Sequence, residues 1–197
     1  MWKPVDTEFY APRLPVSIAA VSSDGVEFVR STLEALHYVV LLHAIGTPTD
    51  FLKVIAQGAH APRYMVIIGH GTEDGLYFGD YGPADIDTSM LRNRSMPPEV
   101  IQQHVYLPGC TVISAFCAGG KAAMAQAFLK GDVAAYIGCR TSPDAVALNV
   151  FLVNLLFGIQ AKHLSDRDAW QRAVIATDHE DIDQMSYFRG DGTEERL

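Results

Sequence analysis

The sequence predicts an α/β fold with a mostly parallel sheet. Short apolar runs rich in Val and Ile alternate five times with segments of helical periodicity, which is typical of parallel strands joined by crossover helices. Several of these runs are apolar throughout, as expected for strands that are buried on both faces. With 197 residues, the chain is expected to form a single domain over 1–197 with a sizeable core.

The elements of this fold can be placed in order along the chain. Residues 1–15 contain three prolines and are expected to be a leader on the surface. The predicted strands are 16–23, 38–44, 64–70, 110–117 and 133–139. Six helices are predicted. Four of them begin after Gly25, after a cap at Thr49 or Asp50, after Pro97 and after Gly120. The other two begin at Ser142-Pro143-Asp144 and at the Ser165-x-x-Asp168 capping box.

Two segments break the alternation of strands and helices. Residues 72–97 are polar and loop-like, and 75–82 are expected to form a small hairpin within them. Loops that follow the carboxyl end of a strand are common places for substrate contacts. The polar tail 190–197 is predicted to be disordered.

The helix predicted after Asp144 is apolar on nearly all sides over 145–159. Such a helix is either deeply buried or a surface for association, and the second option implies a homo-oligomer through this helix. The apolar segment is shorter than the ~20 residues that span a bilayer, so no membrane span is expected.

Charge and cysteine content narrow the classes of partner. The formal net charge is −8, with 15 basic and 23 acidic residues, which argues against binding to a phosphate backbone and so against nucleic acid. The three cysteines lack the spacing of a disulfide framework or a zinc site, so no metal or other cofactor is expected. An N-terminus without a signal-peptide pattern adds to the prediction of a cytoplasmic protein.

Two reactive side chains stand at the predicted carboxyl ends of apolar strands. His70 and Cys117 are 47 residues apart, and glycines follow each of them closely. Functional groups of open parallel sheets lie beyond the carboxyl ends of the strands, so the two are expected to face one cleft. An imidazole can take the proton of a thiol and return it to a leaving group, which predicts a catalytic dyad. The backbone N–H groups of Gly71 and Cys117 are the candidate oxyanion donors.

The two segments resemble those of the caspase-like cysteine peptidases, the group of caspases, metacaspases, clostripain, gingipains and separase. In these proteins one apolar strand ends in His-Gly and another ends in the nucleophilic Cys, as in Ile67-Ile68-Gly69-His70-Gly71 and Ile113-Ser114-Ala115-Phe116-Cys117. The spacing and the glycine two residues after the cysteine also agree. The resemblance covers roughly residues 16–160. It implies a three-layer α/β/α sandwich, a polypeptide substrate and peptide-bond cleavage through a thioester.

The same resemblance implies a substrate-binding pocket formed by Asp24, Ala115 and Arg140. Ala115 stands where caspases carry Gln, so the chain is similar to the broad group and not to caspases proper. Asp24 would hold a basic side chain and Arg140 an acidic one. Asp24 lies in a Ser-Ser-Asp-Gly turn, whereas Arg140 follows an apolar strand directly, so the sequence slightly favours an acidic side chain at Arg140.

Two other interpretations remain open at the level of sequence. A catalytically silent caspase-like module that works by association would explain the short chain, the alanine at position 115 and the apolar helix. Alternatively, Ala115-Phe-Cys-Ala-Gly119 resembles the nucleophile elbow of an α/β-hydrolase with a cysteine nucleophile. That fold would need Asp144 as the acid, followed by His163 or His179.

Overall fold

The computed structural model describes residues 13–82 and 85–197. These residues form two sheets, one of seven strands and one of three, together with six α-helices. The strands are β1 (Leu14–Ala20), β2 (Tyr38–Ala44), β3 (Tyr64–Ile68), β4 (His70–Thr72), β5 (Gly75–Tyr77), β6 (Ser95–Met96), β7 (Thr111–Ala115), β8 (Ala135–Cys139), β9 (Met185–Arg189) and β10 (Glu194–Glu195). The helices are α1 (Val26–Ala35), α2 (Pro48–Val54), α3 (Pro98–His104), α4 (Ala122–Leu129), α5 (Ala145–Lys162) and α6 (Asp166–Thr177).

The larger sheet has the strand order β10-β9-β8-β7-β3-β1-β2. The five strands predicted from the sequence are parallel to one another, while β9 runs antiparallel to β8 and β10 runs antiparallel to β9. The predicted α/β fold with a mostly parallel sheet is therefore confirmed. Parallel strands need long crossover connections, and helices in these connections cover both faces of the sheet.

Two hydrophobic clusters of the described residues fill the two faces. One cluster joins the sheet to α1, α5 and α6, and Trp170 and Phe151 are completely buried in it. The other cluster joins the sheet to α2, α3 and α4, and Phe51 and Phe128 are completely buried there. This arrangement of helices on both sides is a three-layer α/β/α sandwich, as expected.

Three local predictions need correction. Thr47 caps α2 instead of Thr49 or Asp50, because its side-chain oxygen accepts the N–H of Asp50 at 3.2 Å and Pro48 follows at the first helical position. Asp144 is the cap of α5, so Pro143 precedes the helix. The expected hairpin at 75–82 lies earlier, since β4 pairs with β5 across a turn at 73–74.

The chain termini also differ from the sequence-based expectation. The tail that was predicted to be disordered contains β10, which pairs with β9 and closes one end of the sheet. Neither strand has the long apolar run that marks the other strands of this sheet. The two segments can therefore be assigned as strands from their pairing and not from their sequences. The predicted leader at 1–15 lies outside the described residues up to residue 12, and Leu14 and Pro15 belong to β1.

Helix α5 lies against the larger sheet, and its tightest helix neighbours are α6 and α1. Its buried side explains most of its apolar composition. Val146 and Val150 on its outer side are 69% and 42% exposed, so part of the helix surface is accessible. Among the described residues, α5 is the one helix long and apolar enough to suit a membrane span by length and composition, a property shared by the core helices of soluble proteins. Association through this helix stays a prediction.

A buried carboxylate joins α6 to the amino ends of two central strands. Asp166, at the first position of α6, accepts hydrogen bonds from the hydroxyls of Tyr64 and Thr111, and its side chain is only 10% exposed. Arg63 adds an ion pair at 3.4 Å. Burial, together with the charge of Asp166, raises the pKa of Tyr64, so its hydroxyl remains a donor to the carboxylate. Asp166 therefore anchors β3 and β7, whose opposite ends lead to His70 and Cys117.

Replacing Asp166 by alanine is expected to lower the free energy of unfolding by about 2–4 kcal/mol, because the hydroxyls of Tyr64 and Thr111 lose their acceptor. Urea unfolding of the full chain measures this change. Asp183→Ala serves as the control, since Asp183 is exposed and its replacement is expected to cost less than about 0.5 kcal/mol. Equal stability of the two variants would contradict the anchoring role.

Candidate active site

The register of the sheet places His70 and Cys117 at equivalent positions. Strand β3 pairs in parallel with β7, with Ile68 opposite Ala115 at their carboxyl ends. His70 and Cys117 each follow two residues after this last pair. Because the strands are direct neighbours, the two segments leave the sheet at the same edge and side by side. The sequence-based expectation of adjacent strand ends therefore agrees with the observed topology.

The backbone of Gly71 lies directly against the Cys117 segment. A Cβ atom built at Gly71 would lie 1.8 Å from the carbonyl oxygen of Cys117 and 2.8 Å from its carbonyl carbon. Real Cβ atoms do not approach other atoms this closely, so the position accepts only glycine unless the backbone moves. Gly71 is thus required by the contact between the two segments, and this contact brings the histidine and the cysteine segments together.

Cys117 sits in a tight turn after β7. The next residue, Ala118, has the left-handed backbone conformation with φ of 59°, which is uncommon for a residue other than glycine. The N–H of Ala118 donates to the carbonyl of Thr141 at 2.7 Å, and that of Gly120 donates to the carbonyl of Cys139 at 2.7 Å. These bonds tie the turn to the chain that leaves β8. In the described part of the chain, the Cys117 N–H has no such acceptor.

The two glycines after Cys117 serve the packing of the sheet. A Cβ at Gly119 would lie 2.5 Å from the hydroxyl of Ser114, and one at Gly120 would lie 2.1 Å from the carbonyl of Gly138. Protein atoms already occupy the space beside these two glycines. The glycines at 119 and 120 therefore allow β7 and β8 to approach the turn closely.

His70 has a carboxylate partner that the sequence analysis assigned elsewhere. The Nε2 atom of His70 lies 3.0 Å from Oδ2 of Asp24, and the two side chains are 61% and 75% exposed. Asp24 follows β1, the other neighbour of β3, just before Gly25 begins α1 with φ of 73°. Because Nε2 is held by Asp24, Nδ1 is the ring nitrogen that takes no part in this contact.

Asp24 and His70 are 46 positions apart, so no local sequence pattern connects them. The available signal was that both follow the carboxyl ends of apolar strands. The order of those strands in the sheet, which makes β1 and β3 neighbours, was needed to use it.

A cavity of about 180 Å³ opens beside His70 and Cys117. Asp24 and Ala115 also line it, and its far wall comes from the first turns of α5, including Leu148 and Leu152. The structure thus brings together four of the predicted site residues, namely both reactive side chains and two of the three residues expected in the substrate pocket.

Arg140, the third of these residues, is directed elsewhere. Its guanidinium donates to Oε1 of Gln184 at 2.7 Å, and its backbone N–H donates to the carbonyl of the same residue at 3.1 Å. Arg140 does not line the cavity beside Cys117. A role of Arg140 in holding a substrate carboxylate stays a prediction. The partner of Arg140 in the structure is Gln184, which directly precedes β9.

Cys117 differs from the other two cysteines in its surroundings. Cys110 and Cys139 are completely buried, whereas Cys117 is partly exposed. Burial raises the pKa of the Cys110 thiol to about 12 and also raises the pKa of the Cys139 thiol, so neither is a nucleophile near neutral pH. Cys117 is therefore the accessible thiol of the described chain.

The geometry does not support the α/β-hydrolase interpretation. Oδ1 of Asp144 accepts the N–H groups of Val146 and Ala147 at 2.9 Å each, and so it caps α5. Neither His163 nor His179 lines the cavity beside Cys117. The described residues also contain no group of three or more His, Cys, Asp or Glu side chains that could hold a metal ion. The expected absence of a cofactor stays a prediction.

Comparison with solved structures identifies similar folds. The chain is similar to the Arg-specific cysteine proteinase gingipain R, with a TM-score of 0.57, 10% identity, and coverage of 89% of this chain and 46% of that chain. It also resembles the complex of the pro- and mature domains of RgpB from Porphyromonas gingivalis, with a TM-score of 0.58, 12% identity, and coverage of 89% and 47%. A third similar structure is an inactive zymogen of a C11 protease from Parabacteroides distasonis, with a TM-score of 0.53, 16% identity, and coverage of 92% and 62%.

These similarities show that the chain has the fold of the caspase-like cysteine peptidases, as the resemblance in sequence implied. The chain spans between 46% and 62% of the length of these structures. No family model matches the chain, and no curated protein matches it.

Proposed function

We propose that this protein is a cysteine peptidase in which Cys117 is the nucleophile and His70 is the general base and acid. The observation that carries the proposal is the placement of the two side chains. Each follows two residues after the last pair of β3 and β7, in segments that touch at Gly71, and both line one cavity. The caspase-like fold and the cysteine peptidases among its structural neighbours support the same reaction class.

In the first half of the reaction, the Cys117 thiol loses its proton to His70, and the sulfur attacks the carbonyl carbon of a peptide bond. The negative charge that develops on the carbonyl oxygen needs backbone donors. The N–H of Cys117 suits this role because no acceptor in the described chain occupies it, and Gly71 is the second candidate. The protonated His70 then donates its proton to the leaving amine, the C–N bond breaks, and a thioester remains on Cys117.

In the second half, His70 removes a proton from water, and the resulting hydroxide attacks the thioester carbonyl. The C–S bond breaks, the acid product leaves, and the proton returns to the thiolate of Cys117. Asp24 acts as a positioning residue. Its carboxylate fixes the orientation of the imidazole through Nε2 and stabilises the imidazolium that forms in each half-reaction.

The activation of Cys117 can be tested by alkylation with iodoacetamide followed by peptide mass spectrometry. We expect rapid modification of Cys117 at neutral pH, and at least about tenfold slower modification in His70→Ala, because the thiolate is the reactive form. Cys110 and Cys139 are expected to remain unmodified in the native protein, since both are buried.

His60→Ala is the matched control for this experiment, because His60 is an exposed histidine away from the cavity. Cys117 of the His60→Ala variant is expected to react with iodoacetamide at the same rate as Cys117 of the wild-type protein. Equal rates in His70→Ala and His60→Ala would show that the histidine does not activate the cysteine, and would favour the catalytically silent module.

A further inference from the structure

We infer that the cavity beside Cys117 binds the side chain that precedes the scissile bond, and that this side chain is uncharged and apolar. The inference rests on the proposed peptidase function and specifies its substrate class. It differs from both options that the sequence left open, a basic side chain held by Asp24 and an acidic one held by Arg140.

The position of the cavity relates it to the residue that carries the scissile carbonyl. Cys117 must contact that carbonyl carbon, and the side chain of the same residue begins one bond away from it. The cavity starts at Cys117 and His70 and continues past Ala115 towards α5. Its volume of about 180 Å³ is below the ~300–1,000 Å³ of pockets that hold whole small ligands, so it suits one amino-acid side chain.

Most of the cavity wall is apolar and belongs to the core, and Asn149 adds one uncharged polar side chain to the lining. Ile68, Ala115, Leu148 and Leu152 line it and are at most 9% exposed. Each of these residues belongs to a strand or helix of the core, so the cavity keeps its shape without a ligand. An aliphatic side chain that enters exchanges water for these walls, and the hydrophobic effect favours this exchange.

The charges near the cavity do not provide for an ionic side chain. Asp24 and His70 are the charged or titratable lining residues apart from Cys117, and they are already bonded to each other at 3.0 Å. The Asp24 carboxylate is 75% exposed, so it lies in a region where water weakens its attraction for a cation. Arg140 is bonded to Gln184 and does not reach the cavity. A lysine, arginine or aspartate side chain would therefore lose its hydration inside the cavity without a dedicated counter-ion.

The position of Leu148 makes it a residue that determines specificity. It lines the cavity from the first turn of α5, and it is 9% exposed. A larger residue here would fill the space that a substrate side chain needs, and a smaller residue would enlarge it.

The test uses the full-length protein and fluorogenic peptides that differ only in the residue before the scissile bond, which is Leu, Phe, Ala, Arg or Asp. We expect kcat/KM for Leu to exceed the value for Ala by at least about 100-fold, since one methylene in an apolar pocket is worth about 10–200-fold and Leu is larger than Ala by more than one methylene. We expect Arg and Asp to be cleaved at least about 100-fold less efficiently than Leu. A preference for Arg would overturn the inference in favour of Asp24, and a preference for Asp would do so in favour of Arg140.

Two variants of the cavity wall keep the test sharp if the ranking of substrates is ambiguous. Leu148→Phe is expected to lower kcat/KM for the Leu peptide at least about tenfold while the Ala peptide changes little. Leu148→Ala is expected to shift the preference towards Phe. Val150→Phe is the matched control, because Val150 lies on the outer side of α5 and does not line the cavity. If both Leu148 variants keep the substrate ranking of the wild-type protein, as Val150→Phe is expected to do, the cavity does not bind this side chain.

The outcomes separate this inference from the proposed function. Cleavage that depends on Cys117 but prefers a charged residue would leave the peptidase proposal intact and remove the inference. Absence of cleavage of all five peptides, together with Cys117 alkylation that is independent of His70, would remove both. Protection of Cys110 and Cys139 from alkylation in each variant reports whether the core has folded, since both are buried in the native protein.

Discussion

Replacing Gly71 by alanine is expected to lower kcat/KM by at least about 100-fold, the loss that a displacement of about 1 Å can cause at a catalytic site. The new Cβ would lie 1.8 Å from the Cys117 carbonyl oxygen and 3.0 Å from the ring of Phe116, so the His70 and Cys117 segments must move apart. We also expect the free energy of unfolding to fall by about 1–3 kcal/mol, because the added methyl overpacks the contact. Peptide hydrolysis and urea unfolding measure the two effects separately.

Gly46→Ala is the control for the added methyl group. A Cβ at Gly46 would meet only a side-chain oxygen of Asp50 at 3.7 Å, an ordinary contact. This variant is expected to keep its activity and to change stability by less than about 0.5 kcal/mol. If Cys117 of the Gly71→Ala variant is alkylated at the wild-type rate, and this variant cleaves peptides as the wild-type protein does, the contact between the two segments does not position the site.

Removal of either reactive side chain is expected to have the largest effect on catalysis. Cys117→Ala and His70→Ala should each reduce kcat by at least about 10⁴-fold, because the nucleophile and its base act as a unit. For the same reason, the double variant is expected to be no less active than Cys117→Ala alone. Steady-state hydrolysis of the Leu peptide measures these effects, and far-UV circular dichroism verifies the fold.

Asp24→Asn completes this series as the intermediate case. It keeps a polar side chain of the same size near His70 but loses the negative charge that stabilises the imidazolium. Because Asp24 is 75% exposed, we expect a loss of about 10- to 100-fold in kcat, smaller than the loss from His70→Ala. An effect confined to KM would contradict the positioning role and would favour substrate binding by Asp24.

Fully additive losses for Cys117→Ala and His70→Ala in the double variant would contradict a mechanism that the two residues share.

The sequence alone determined the fold class and the placement of His70 and Cys117 at one edge of the sheet. Largely apolar runs such as Tyr64–Ile68 and Thr111–Ala115 are recognisable as strands that are buried on both faces, because they do not alternate between apolar and charged residues. All positions of these two strands are buried in the structure. A strand that ends in a parallel sheet delivers the next residues to a known edge, so His70 and Cys117 could be assigned to one cleft from local patterns. Strands β9 and β10 were missed because their sequences lack a comparable apolar run.

Only the tertiary structure decided which partners the side chains of Asp24 and Arg140 contact. Asp24 and Arg140 both follow apolar strands, and the sequence slightly favoured Arg140 as the residue that contacts substrate. The observed strand order places β1 beside β3, so Asp24 reaches His70, while β9 beside β8 gives Arg140 a partner in Gln184. Likewise, Gly120 lies against Gly138 and Cys139, which belong to strand β8 and are distant in sequence. Side-chain partners depend on which strands are adjacent and on contacts of a few ångströms, and neither is encoded in the spacing of residues along one chain.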